Sequence, residues 1–83
     1  MTTILHHPEQ CRFETVVDGY TAYVEYEITN QALDILHTIV PKEIGGRGIA
    51  AELVAAAYEY ADGVGLARKA TCSYAAVWLR RHG

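Results

Sequence analysis

The sequence predicts a small α+β fold of mixed α/β character, in which an antiparallel hairpin leads into a strand-helix-strand crossover and a C-terminal helix. Three observations predict it. Two segments of alternating apolar and polar residues meet at Asp18-Gly19, a pair tolerant of positive φ and the strongest short-range hairpin signal. From about Arg47 the apolar spacing lengthens to three and four residues, which is the period of a helix. Short apolar segments flank that helix on both sides, and such a crossover between parallel strands is expected to be right-handed.

Residues 1–10 hold His6, His7 and Pro8 without periodicity and read as an arm or an irregular first edge. A solvated terminus explains the two histidines better than a metal-binding pair. In the first strand, Arg12 to Val17, the residues Phe13, Thr15 and Val17 alternate with Arg12, Glu14 and Val16, so one face is expected to be buried. After the turn, Tyr20, Ala22, Val24, Tyr26 and Ile28 share the inner face of a second strand. Its outer face carries Thr21, Tyr23, Glu25 and Glu27. That acidic, partly aromatic surface suits a cationic amine, although such a pattern more often marks a solvated sheet face. Thr29-Asn30-Gln31 turns the chain into a third strand from Ala32 to Val40, and Pro41 stops it by removing a ladder donor.

The long helix is expected from about Arg47 to Val64, with Ile49, Leu53, Ala57, Tyr60 and Val64 as its buried stripe. Tyr60 then packs on the sheet, and neither it nor Tyr58 is assigned chemistry. Gly63 and Gly65 end the helix by accepting left-handed conformations. Leu66 to Thr71 returns as a fourth strand beside the third. Ser73 is the expected N-cap of a last helix from Tyr74 to about Arg81. Arg80 and Arg81 either complement its negative end or contact a bound phosphate, and the sequence favours neither option.

With 83 residues and 51% hydrophobic composition, the chain is expected to form a single domain over residues 1–83 around one core. The formal charge of −3 excludes non-specific nucleic-acid binding, which needs basic surface. No apolar run reaches the roughly 18 residues of a membrane span, and the start lacks the basic and apolar regions of a signal peptide. The expected location is therefore cytoplasmic. Cys11 and Cys72 show no metal or redox spacing and are expected to be free thiols, with no metal site. An exposed first strand invites edge pairing, which makes a homodimer one expectation.

The stretch richest in chemistry is Pro41-Lys42-Glu43-Ile44-Gly45-Gly46-Arg47-Gly48-Ile49-Ala50-Ala51, a strand end followed by three glycines and a long helix. Glycines let successive backbone amides approach an anion, and the first amides of a helix lack intrahelical acceptors. A phosphate is the natural occupant, with the helix dipole contributing about 0.3–1 kcal/mol and Arg47 a charge-assisted bond. The spacing matches neither the Walker loop nor the dinucleotide fingerprint, so nucleotide hydrolysis and NAD chemistry drop out. Taken alone, the loop is equally a plain change of direction.

Together, His37-Thr38-Ile39-Val40-Pro41-Lys42-Glu43-Ile44-Gly45-Gly46-Arg47-Gly48-Ile49-Ala50 and the downstream Cys72-Ser73-Tyr74-Ala75-Ala76-Val77-Trp78-Leu79-Arg80-Arg81-His82 resemble the compact GNAT-like acetyltransferases. The resemblance implies a GNAT-like sheet and a coenzyme site that takes acetyl-coenzyme A as cosubstrate. Ile39, Val40, Gly45, Gly46, Arg47, Gly48, Ile49, Ala50 and Ala51 would hold it, with the pyrophosphate on the amides from about Gly46 to Ala51. The thioester would run along the splayed edge between the third and fourth strands, and the acetyl group would pass to an amine of unidentified class. The sequence departs from the family pattern at Gly45, where an arginine or glutamine usually stands, at Ile39, often a glutamate, and at Trp78, often a tyrosine.

Three residues are candidates for catalysis. His37 borders the expected site and can act as a base near neutral pH, or simply hydrogen-bond at the sheet face. Cys72 precedes the last helix, where a thiol pKa falls, but cysteine is also a common packing residue. Tyr74 can protonate a leaving thiolate or serve as a half-buried aromatic with a wet hydroxyl. The alternative function is a catalytically weak or inactive coenzyme-binding or protein-interaction module of the same fold.

Overall fold

A computed structural model describes residues 2–82. Its strands are β1 (Leu5–His7), β2 (Arg12–Val17), β3 (Tyr20–Thr29), β4 (Ala32–Ile39) and β5 (Ala67–Ala70), with helices α1 (Ile49–Gly63) and α2 (Ser73–His82). They form one five-stranded sheet in sequence order, antiparallel from β1 to β4 and parallel between β4 and β5. Alternation dictates the strand faces as expected: Phe13 and Thr15 of β2 and Ala22, Val24 and Tyr26 of β3 are buried. Both hairpins turn through two successive residues of positive φ, Asp18 and Gly19, then Asn30 and Gln31, which matches the strand twist. Tyr20 and Ile28, the two ends of the expected inner face of β3, are 41% and 47% exposed because they lie beyond the reach of α1.

The start of the chain corrects the solvated-terminus expectation. Pro8 opens a one-turn 3₁₀ helix over Pro8–Gln10, and Cys11 takes a φ of 52° with its N–H donated to the Pro8 carbonyl at 3.1 Å. This reversal folds β1 back onto β2 with His6 opposite Phe13. The His6 ring stacks on Phe13 at 4.0 Å between centroids, meets the edge of Tyr60 at 4.4 Å, and bonds the Tyr26 hydroxyl at 2.6 Å. Burial lowers the His6 pKa below its ordinary 6.5 and pushes Tyr26 up to about 12, so this contact is between neutral groups near pH 7. The strand expected to lie at the edge is therefore covered, and the edge is β1.

Helix α1 covers the sheet with two rows of side chains. Ile49, Leu53 and Ala57 are the expected row, while Val54, Tyr58 and Ala61 form a second row that the sequence reading left out. That flank is buried because α2 packs there: the Tyr58 and Trp78 rings lie 5.6 Å apart, and the Tyr58 hydroxyl donates to the Lys69 carbonyl at 2.6 Å. Tyr60 is half-buried against Phe13 and His6, as expected for packing on the sheet. Val64, assigned to the stripe, lies just past the helix and is 54% exposed. Among the described residues no helix is long and apolar enough to cross a membrane.

One irregularity sets up the site. The β3–β4 register pairs Tyr26 with Ile35 and Glu25 with His37, so Leu36 is an extra residue on β4. Such a bulge flips the faces beyond it. Leu33 and Ile35 face the core before it, and Thr38, opposite buried Val24, continues that face after it. His37 and Ile39 turn instead to the open face of the sheet, beside Glu25 and Tyr23.

Replacing Leu53, fully buried, with alanine is expected to cost about 2–5 kcal/mol of stability. Val64→Ala should change stability by less than about 0.5 kcal/mol. Urea unfolding of both variants checks the contrast, and equal losses would contradict the placement of the helix.

Candidate active site

The two parallel strands part at one place. Their register runs from Ala32 opposite Ala67 to Ile35 opposite Ala70, and the N–H groups of Thr71 and Cys72 then both reach the Ile35 carbonyl, at 3.1 and 2.9 Å. Beyond that point β4 continues to Ile39 while β5 has ended, so residues 37–39 pair only with β3. Asp34 holds the parting point. Its carboxylate, 3% exposed, accepts the Thr71 N–H on one oxygen and the Thr71 hydroxyl on the other, both at 2.7 Å. Sequence reasoning missed this pair, although a lone carboxylate inside the apolar segment 32–40 was a visible signal of a buried acceptor.

Cys72 takes the capping position that the sequence assigned to Ser73. Ser73 is the first residue of α2, and the Cys72 carbonyl accepts the Ala76 N–H at 3.0 Å. The Cys72 thiol donates to Thr38 Oγ1 at 3.5 Å and stands at the start of α2. Burial works to raise its pKa, but the bonds from Thr38, Ala75 and Tyr74 together outweigh burial and leave it below the ordinary 9.0. Thr38, the sulfur's partner across the gap, was not among the sequence candidates, because only the bulge at Leu36 turns it inward.

The other candidates divide between the two faces. Tyr74, 42% exposed, stands at the first turn of α2 on the helix side. His37 is exposed on the open face, opposite Glu25, while Thr38 and with it Cys72 lie on the helix side. The structure thus brings Cys72 together with Thr38 and the α2 amides, and places His37 on the far side of the gap. Glu25 itself is shared with Arg12, which also covers the Tyr23 ring at 4.0 Å.

At the end of β4, Val40 packs against the core and Ile39 is 44% exposed. Pro41 leads into a 3₁₀ turn over Lys42–Ile44 whose Ile44 is fully buried and anchors the loop. Gly45 is extended, and Gly46 and Gly48 take φ of 77° and 79° with nothing within 4 Å of an added Cβ. The first bond of α1 is from the Glu52 N–H to the Gly48 carbonyl at 3.1 Å, and no side chain caps the helix. The amides of Gly46, Arg47, Gly48, Ile49, Ala50 and Ala51 consequently make no backbone hydrogen bond. Arg47, expected on a phosphate, is bonded to Asp18 of the β2–β3 turn at 2.7 Å. Beside the loop, a cleft of about 170 Å³ opens between α1 and α2, lined by Ala51, Tyr74, Val77, Trp78, Arg81 and His82.

Six free amides on an open glycine cradle fit a phosphate, and the cleft beside them has room for only a part of a larger ligand. A mixed sheet parted next to such a helix start defines the class: an α+β protein with a glycine loop of unpaired amides leading toward a gap between two parallel strands. The chain belongs to the GCN5-related N-acetyltransferase family, whose model matches residues 12–83. It is also similar to the solution structure of a GCN5-like candidate N-acetyltransferase from Staphylococcus aureus, with 29% identity and a TM-score of 0.75 over 96% of this chain and 79% of that one.

The geometry at Cys72 yields a measurable expectation. In a Cys11→Ser background, alkylation by iodoacetamide should show a pH midpoint below the ordinary 9.0 of a thiol. Thr38→Val should move that midpoint upward by removing one of the bonds. A parent midpoint at or above the ordinary value would contradict the capping role of the sulfur.

Proposed function

We propose that the protein, acting as a single domain over residues 1–83, is an N-acetyltransferase that moves an acetyl group from acetyl-coenzyme A to an amine. The observation that carries this reading is the row of six free amides, Gly46 to Ala51, opening beside the gap between β4 and β5. Gly46, Arg47, Gly48, Ile49, Ala50 and Ala51 hold the pyrophosphate through these amides, whereas the Gly45 N–H is already donated to the Lys42 carbonyl at 3.1 Å and Gly45 serves only to shape the turn. Ile39 and Val40, at the end of β4 where β5 no longer pairs with it, guide the pantetheine arm toward the gap.

Acetyl-coenzyme A supplies an activated acyl group, and the chain supplies orientation, a base and an acid. His37 on the open face accepts the proton that the attacking amine sheds as the new N–C bond forms. Glu25 lies opposite it, with its charge shared with Arg12 at 3.3 Å. On the helix side, Cys72 gives its proton to the sulfur released as the C–S bond breaks, with the Tyr74 hydroxyl alongside as a second donor. A thiol whose pKa is already lowered by the α2 amides matches a leaving thiolate well. His37 and Cys72 therefore act from opposite faces of the sheet as separate base and acid.

The alternative, a coenzyme-binding module without chemistry, is favoured by one observation: residues 36–40, which border the gap, contain no carboxylate. Release of free coenzyme A in the presence of a panel of primary amines and polyamines separates the two readings. The transferase should show amine-dependent release that falls about 100-fold or more in His37→Gln. Folded protein that binds the coenzyme but releases none with any amine would establish the module instead.

A further inference from the structure

We infer that Arg81 of α2 is the cation that clamps the pyrophosphate against the start of α1. This inference rests on the coenzyme reading above and adds a residue to it. Arg12, Arg47 and Arg68 are each paired with a carboxylate, Glu25, Asp18 and Asp62 respectively. Arg80 and Arg81 make no ion pair among the described residues. Of these two, only Arg81 lines the cleft, and it does so together with Ala51 from the first turn of α1.

Helical spacing explains why. Tyr74, Val77, Trp78 and Arg81 fall at i, i+3, i+4 and i+7 and so share one face of α2, the face that lines the cleft. At 1.5 Å per residue, Arg81 stands about 12 Å along the axis from Ser73. The face thus carries Tyr74 at the gap end and a guanidinium at the other. His82 stacks on Trp78 at 4.6 Å and 28°, which stiffens the last turn beside Arg81. A cation on one wall and Ala51, the last of the free amides, on the other leave room for an anion between Arg81 and the start of α1.

The chain's only tryptophan, Trp78, lines the same cleft, so its fluorescence reports occupancy without any assay of activity. Coenzyme A, dephospho-coenzyme A and pantetheine serve as probes for the parent, Arg81→Gln and Arg80→Gln. Arg81→Gln should weaken coenzyme A and dephospho-coenzyme A by the same factor, about tenfold or more, and leave pantetheine unchanged. Arg80→Gln should change each by less than about threefold. Equal coenzyme affinity in the parent and Arg81→Gln would overturn the inference while leaving the coenzyme reading intact. A loss confined to coenzyme A would overturn it too, by assigning Arg81 to the 3′-phosphate. A parent that binds neither coenzyme would overturn both.

Discussion

Asp34 is a carboxylate buried to 3% exposure at the point where β4 and β5 separate, and its two oxygens hold the backbone and the hydroxyl of Thr71. Removing a hydrogen-bonded charge from water is tolerated only when its acceptors are satisfied, and here Thr71 satisfies both. The contact determines where the chain leaves the sheet. Thr71 and Cys72 then converge on the Ile35 carbonyl, α2 begins at Ser73, and the sulfur of Cys72 comes to lie under the first amides of that helix. The gap, the capped thiol and the position of the cleft all follow from one buried pair.

A second constraint comes from Leu36. A strand with a single extra residue reverses its faces, and this reversal separates His37 from Thr38 across the sheet. The same few residues thereby serve both sides of the gap. A regular strand would have turned His37 toward α1 and Thr38 away from Cys72. The bulge therefore sets His37 on the open face and Thr38 beside Cys72 at the start of α2.

Much of this was legible in the sequence. The hairpin at Asp18-Gly19, the limits of β2, the long helix and the glycine loop follow from local rules that involve only near neighbours. What was not legible depends on contacts between distant segments. The short β1 strand forms because His6 stacks on Phe13 and meets Tyr26 and Tyr60, and the latter two are far from it in sequence. The second buried row of α1 exists only because α2 docks on it, and Cys72 displaces Ser73 as the cap because Thr38 and Ile35 draw it to the strand end. The family model covers residues 12–83 and so spans both the loop and the gap, whereas the proposed roles of His37, Cys72 and Tyr74 rest on the geometry alone.

The central claim is that the amides opening α1 receive the phosphates of acetyl-coenzyme A. Amide-resolved NMR during titration with acetyl-coenzyme A tests it most directly. The account predicts that the amides of residues 46–51 show the largest shifts, with those of Cys72 to Ala75 following. Saturation without movement of residues 46–51, or shifts concentrated on the open face around Tyr23 and Glu25, would contradict it.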